Sequence, residues 1–144
     1  MKIVAPILFF FFSICTFAQD WEDTYAETVA TSVDQNKPIV LVFAGSDWCA
    51  PCIKLDKTIW QSEEFKTYSK ENYILYKADF PRKKANQLSA EMAQQHALLA
   101  ERFNPKGHFP LVVVLNQEEK VLGKMGYKKT TPEDYISLLN NCLK

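Results

Sequence analysis

Cys49 and Cys52 stand with two residues between them in Trp48-Cys49-Ala50-Pro51-Cys52, and that spacing admits three kinds of chemistry. Residues three apart on a helix share a face, so the two sulfurs lie close enough to form a disulfide. A reversible redox dithiol, an inert structural bridge and half of a metal site could each begin this way. A bridge closing so short a loop constrains the unfolded chain little, because loop-closure stabilisation grows with loop length. A metal site needs more ligands; the remaining candidates, His96, His108 and Cys142, bring no second CxxC and no HxxxH pattern. The spacing therefore favours the redox-active dithiol over the other two readings, with no metal and no cofactor expected.

Position then separates the two cysteines. If a helix begins near Cys49, its sulfur sits where unpaired N–H groups and the helix dipole favour a thiolate. The thiolate is the attacking species in disulfide exchange. Cys52, one turn inside, is expected to be more buried and to resolve the mixed disulfide. Pro51 is tolerated in a first helical turn and stiffens it.

The elements around the pair must place it at the end of a strand. Ile39 to Ala44 is a continuous apolar run without alternation, the pattern of a central strand covered on both faces. Gly45-Ser46-Asp47 is a turn. The helix after it carries Cys52, Leu55 and Ile59 on one face, with Phe65 and Tyr68 on a continuation. Upstream, Trp21, Tyr25, Val29 and Val33 recur every four residues and predict an amphipathic helix over 21–35, stopped by Asn36-Lys37-Pro38.

Downstream, Tyr73 to Phe80 reads as a second strand and Pro81-Arg82-Lys83-Lys84 as a solvated basic loop. A helix over 87–103 aligns Leu88, Met92, His96, Leu99 and Phe103. Leu111–Leu115 and Lys120–Gly126 form an antiparallel hairpin about the polar turn Asn116 to Glu119. Thr131 caps a last helix that opens with Pro132 and turns Tyr135, Leu138, Leu139 and Cys142 inward. Strands alternating with helices and ending in a hairpin imply an α/β fold: a mixed central sheet of about four strands sandwiched between helices, in one domain over 19–144.

This chain resembles the thioredoxin-like family, across nearly all of 21–144 in element order and specifically at two places. Trp48-Cys49-Ala50-Pro51-Cys52 is similar to the thioredoxin WCGPC with Ala50 in place of Gly. Phe109-Pro110, just before a strand, resembles the family's cis-proline beside the reactive cysteine, although a proline starting a strand is also ordinary. Gly126 resembles a family glycine that lines the substrate groove. Trp48 and Phe109 would form an apolar rim for extended peptides, or simply cover the dithiol.

Departures from the family pattern fall near the second cysteine. The family places a buried Asp six residues before the first cysteine to help proton transfer, and here that position is Phe43. Lys77 matches that acid's lysine partner and is left to pair with another acid or reach solvent; Asp47 is the expected partial substitute for proton transfer. The family's usual first strand is absent, or replaced by the helix near Trp21. The 45–49 stretch and the 82–86 insertion look more like exported bacterial members.

The resemblance implies a thiol–disulfide oxidoreductase acting on protein substrates that carry disulfides or thiols. With no histidine between the cysteines, reduction or exchange is favoured over oxidation. A reductase would need an upstream thiol–disulfide electron donor. Disulfide isomerase, and a non-catalytic peptide-binding or chaperone-like module, are the alternatives; no dedicated peroxidatic site accompanies the pair. A monomer is expected.

Composition agrees with one globular domain. Of 144 residues, 47% are hydrophobic and 24% charged, which excludes a disordered or collagen-like chain. The balance of 17 basic and 17 acidic side chains gives no reason to expect nucleic acid. Residues 1–18 read as a signal peptide: Lys2, an apolar block over Ile7–Phe12, and small Ala18 before a cut at Gln19. The stretch is short for a membrane span, and Ile14 before Cys15 does not suit a lipidation signal. Export to the periplasm, or secretion, follows. Processing would leave three cysteines, with Cys142 an inert hydrophobe rather than an intermolecular partner. His96 reads as a core histidine bonded to backbone, and His108 as either a groove or a loop residue.

Overall fold

The structure, a computed structural model, describes residues 21–144; the expected signal peptide, its cleavage site and Cys15 lie outside the described residues. The elements are α1 (Tyr25–Gln35), β1 (Ile39–Ala44), α2 (Ala50–Leu55), α3 (Glu63–Asn72), β2 (Ile74–Asp79), α4 (Ala90–Phe103), β3 (Leu111–Leu115), β4 (Val121–Met125) and α5 (Pro132–Asn141). A π turn, Asp56–Trp60, continues α2, and a 3-10 turn, Lys84–Asn86, precedes α4. Each helix start is capped by a side chain: Thr24, Cys49, Ser62, Ser89 and Thr131 each accept a backbone N–H.

The four strands lie in the order β2-β1-β3-β4. β1 runs parallel to β2 and antiparallel to β3, and β4 closes the sheet antiparallel to β3. Every residue of β1 and β3 is buried, as a central strand lacking alternation requires. Successive side chains of β1 therefore enter two different cores. Val40, Val42 and Ala44 join Cys49, Cys52, Leu55, Trp60 and Phe65 under α2, α3 and α5. Ile39, Leu41 and Phe43 join Tyr25, Tyr76, Leu99 and Phe103 under α1 and α4. The mixed four-stranded sheet between helices is the architecture that the element order implied.

Three details differ from the sequence reading. α1 starts at Tyr25, and Trp21 instead forms an isolated parallel bridge to Leu75, with Glu22 N–H bonded to the Leu75 carbonyl at 3.0 Å. A remnant of an edge strand thus stands where the sequence has the first strand absent or replaced by the helix near Trp21. The buried stripe of α1 is Tyr25, Thr28 and Ser32, while Val33 is exposed. A strict spacing of four drifts round a helix of 3.6 residues per turn, so Val33 has left the inner face. On α5, Ile136 is buried with Tyr135 and Leu139, while Leu138 and Cys142 are half-buried.

Candidate active site

The turn after β1 aims the cysteines. Gly45 is buried, and a Cβ there would fall 2.3 Å from the Trp48 indole, so only glycine lets the ring fold back over the turn. Trp48 Nε1 donates to the Phe80 carbonyl at 2.7 Å. Its ring meets Phe109 edge-on at 5.5 Å, and Phe109 meets Phe80 at 5.4 Å. The Arg82 guanidinium lies 3.7 Å from the Trp48 ring centroid, a cation–π contact. Ser46 and Asp47 tie the turn down at both ends. Ser46 donates to the Asp79 carboxylate through its N–H and its hydroxyl. Asp47 accepts the N–H groups of Arg82 and Lys83, each at 2.9 Å, and the Asn86 amide at 3.1 Å.

Cys49 and Cys52 form a disulfide with Cα atoms 5.2 Å apart. Cys49 is the N-cap of α2, and its sulfur accepts the Cys52 N–H at 3.3 Å. A hydrogen bond of this kind favours the charged form of a sulfur. The two cysteines are equally enclosed, 4% and 5% exposed, which corrects the expectation that Cys52 is the more buried of the two. What separates them is the cap: the sulfur of Cys49 faces a helix N–H, and Cys52 lies within the first turn. Ala50 and Pro51 are exposed, and Pro51 occupies an N-terminal helical position where no donor is lost.

The Phe109–Pro110 peptide bond is cis, and Pro110 is buried. A Cβ at Gly126 would come within 3.4 Å of the Pro110 carbonyl oxygen, so the two residues are close neighbours. The Tyr135 hydroxyl donates to the Gly126 carbonyl at 3.0 Å. Asn104, which sequence reasoning passed over, is buried and bonds both the N–H and the carbonyl of His108 at 2.9 Å. It thereby fixes the loop that leads into Pro110. His108 itself is exposed. Its signal in sequence was weak: an asparagine just after a helix usually means only a helix stop.

Behind Cys52 lies a cavity of about 140 Å³, bordered by Val42, Cys52, Asp56, Lys77 and Pro110 among others. Lys77 bonds Asp56 Oδ1 at 3.0 Å and lies 4.7 Å from the Trp21 ring centroid. One expectation is corrected here. Phe43 does not face the dithiol; it lies in the opposite core, stacked on Phe80. Counting six residues back from Cys49 lands one residue off the relevant face, because side chains alternate along a strand, and Val42 is the residue that faces Cys52. Asp47 is bound up in the loop at 82–86, and the backbone bond from Arg82, foremost, lowers its pKa, making it a weak proton acceptor. Asp56 was missed in the sequence; its signal is its place four residues after Cys52.

Cys142 is a free, half-buried thiol packed over Gly123, and burial raises its pKa. Among the described residues, no group of three or more His, Cys, Asp or Glu could hold a metal ion, and no helix is long and apolar enough to cross a membrane.

Comparison with known proteins agrees with this geometry. A family model described as thioredoxin-like matches residues 20–117. The chain is 37% identical over 124 residues to the disulfide bond reductase DsbH of Chlamydia pneumoniae, covering 86% of this chain and 72% of the relative. It is 24% identical over 106 residues to the thioredoxin-related protein DsbJ of the same organism, spanning 74% of this chain but only 30% of that protein. A solved structure of a DsbH oxidoreductase superposes with a TM-score of 0.82 at 33% identity, over 97% of this chain and 94% of the other. A disulphide isomerase from Xylella fastidiosa Temecula1 shares the fold, with a TM-score of 0.61 at 18% identity over 83% and 88% of the two chains. By motif, topology and these matches together, the chain belongs to the thioredoxin-like family.

Proposed function

We propose that this protein is an exported thiol–disulfide oxidoreductase that reduces or exchanges disulfides in protein substrates. The observation that carries the reading is the Cys49–Cys52 pair itself, able to close a disulfide at a helix N-terminus beside cis Pro110. In the reduced state, the Cys49 thiolate attacks a substrate disulfide, forms a mixed disulfide and expels one substrate thiolate. Cys52 then attacks the Cys49 sulfur, closing the Cys49–Cys52 bridge and releasing the second substrate thiolate. Two electrons pass from the dithiol to the substrate. A thiol donor protein must return them. Trp48, Phe109, Pro110 and Gly126 form the surface on which an extended substrate would lie.

Two features favour reduction or exchange over oxidation. No imidazole stands between the cysteines to stabilise the Cys49 thiolate, and a relative at 37% identity carries the name disulfide bond reductase. Export is supported by Lys2, the apolar block over Ile7–Phe12 and Ala18, giving a mature domain from Gln19.

The test is reduction of a disulfide-linked peptide by the dithiothreitol-recycled protein. Cys49→Ser should abolish turnover, and Cys52→Ala should accumulate a mixed disulfide whose partner can be identified by mass spectrometry. Full biological function in the Cys49→Ser, Cys52→Ser double variant would instead support a binding module. A redox titration as oxidising as that of dedicated disulfide donors would reverse the assigned direction.

A further inference from the structure

The resolving step needs a proton acceptor. Cys52 is 5% exposed in an apolar surround, and burial of this kind disfavours a thiolate. The attack on the mixed disulfide nevertheless requires one. On its own face of β1 the nearest strand residues are Val42 and Ala44, which cannot take a proton.

The cavity behind Cys52 brings ionisable groups to it. Cys52 borders the cavity together with Val42, Ser46, Asp56, Lys57 and Lys77. Asp56 lies one helical turn past Cys52, and its N–H bonds to the Cys52 carbonyl. Side chains four apart project from one face with Cβ atoms about 5–6 Å apart. The backbone then widens: Gln61 N–H reaches back five residues to the Asp56 carbonyl at 2.9 Å, the π turn of a kind frequent at functional sites.

The Asp56 carboxylate is oriented from two sides. Lys77 of β2 donates to Oδ1 at 3.0 Å and Gln61 lies 3.3 Å from Oδ2. Lys57 is the other cation on the cavity wall. Ser46, also on the wall, is bonded to the Asp79 carboxylate, so Asp79 is already engaged. The side chains of Lys77 and Asp56 are 31% and 34% exposed. Asp56 thus borders the cavity beside Cys52 and also reaches solvent, where a proton must finally go.

We propose that Asp56, held by Lys77, accepts the Cys52 proton through this cavity during resolution of the mixed disulfide. The inference rests on the oxidoreductase reading and deepens it. The Cys52 S–H proton passes to the Asp56 carboxylate. The Cys52 sulfur bonds to Cys49 as the Cys49–substrate S–S bond breaks, and the leaving substrate sulfur departs as a thiolate. Asp56 then returns its proton to solvent or to that thiolate. The electron count is unchanged from simple exchange, and no further reductant is consumed in the step. Asp56 is a proton-relay residue, acting on Cys52 and not on substrate.

Single-turnover kinetics separate the two steps. Mixed-disulfide formation is measured in a Cys52→Ala background with a disulfide peptide. Resolution is measured as peptide-thiol release from the reduced protein with both cysteines present. Asp56→Asn should leave the first rate unchanged and slow the second about tenfold or more at pH 7, with the deficit closing as alkaline solution deprotonates Cys52 directly. Asp56→Glu should recover much of the rate. Lys77→Gln, which keeps the carboxylate, should retain most of the resolution rate. Equal resolution rates and pH profiles in wild type and Asp56→Asn overturn the relay. So does an equal loss in Asp56→Asn and Lys77→Gln with no change of profile, which would place the effect in packing. A Cys52→Ala protein that forms no mixed disulfide, with Asp56 intact, sinks the oxidoreductase reading instead.

Discussion

On the face of the sheet covered by α1 and α4, His96 is 3% exposed and fully bonded. Its Nδ1 lies 2.8 Å from the Asp79 carbonyl and its Nε2 3.0 Å from the Tyr76 hydroxyl. A carbonyl only accepts, so Nδ1 carries the proton, and the Tyr76 hydroxyl, with one hydrogen to give, lies between His96 Nε2 and Gln95 Oε1 at 2.8 Å. On the face covered by α2, α3 and α5, the ionisable pair is Asp56–Lys77, about a third exposed and bordering a cavity beside Cys52. The same strand, β2, supplies Tyr76 to one face and Lys77 to the other. One network is closed and neutral, and its hydrogen bonds specify the core. The other keeps its charges and a path to water. The contrast teaches that burial alone does not mark chemistry; an ionisable group facing both a reactive atom and an exit does.

The sharpest way to break this contrast is to place the same carboxylate on each face in turn. Phe43→Asp removes a ring fully buried against Phe80 and puts an unpartnered carboxylate in the His96-side core. The expected cost is about 4 kcal/mol or more, enough to unfold much of the protein. Val42→Asp, one residue earlier, places the carboxylate on the cavity wall across from its register neighbour Lys77. It should cost only about 1–3 kcal/mol. Urea denaturation of both variants decides the matter. Equal costs would mean that the two faces do not differ in their tolerance of charge.

Much of this was legible in the sequence, for physical reasons. The apolar runs of β1 and β3 needed no tertiary information, since only a strand buried on both faces reads without alternation. Cys49 at a helix N-terminus followed from a turn preceding a helix, and cis Phe109–Pro110 agrees with the family resemblance. What escaped depends on registers fixed only by packing. Phe43 stands six residues before Cys49, where the family has its acid, but counting along the chain ignores which face each residue takes. Asp56 carried no motif, and its partner Lys77 lies 21 residues away on another element. Asp47 sits beside Trp48 in sequence, but its partners are two backbone N–H groups and the Asn86 amide of a distant loop.

His96→Gln sharpens the contrast from the structural side. Burial lowers the His96 pKa from its ordinary 6.5, so below that pH the unfolded chain binds more protons than the folded one. The stabilisation is complete above about pH 6.5 and is lost as pH falls through the folded pKa. His96→Gln should cost about 1–2 kcal/mol at pH 7 and remove this acidic slope, as read by urea midpoints between neutral and acidic pH. The pH profile of thiol exchange should not move. A shift in that profile would tie the two faces together.

The smallest effect is expected from Asp47→Asn, and it bears most directly on where the proton goes. The Asp47 carboxylate is held by the N–H groups of Arg82 and Lys83, which keep its pKa below the ordinary 3.8. A group with a depressed folded pKa contributes fully above its unfolded pKa and loses that contribution as pH falls through the folded value. Near neutrality it is already ionised, already bonded, and poorly placed to accept a proton. An asparagine keeps one acceptor oxygen and loses the charge. Faster hydrogen exchange at the Arg82 and Lys83 amides, and a modest rise in KM as Arg82 loosens over Trp48, are the expected results. The pH dependence of resolution should be unchanged, in contrast to Asp56→Asn. If Asp47→Asn moves that profile instead, the turn before Cys49 carries the proton, and the cavity behind Cys52 is only a packing defect.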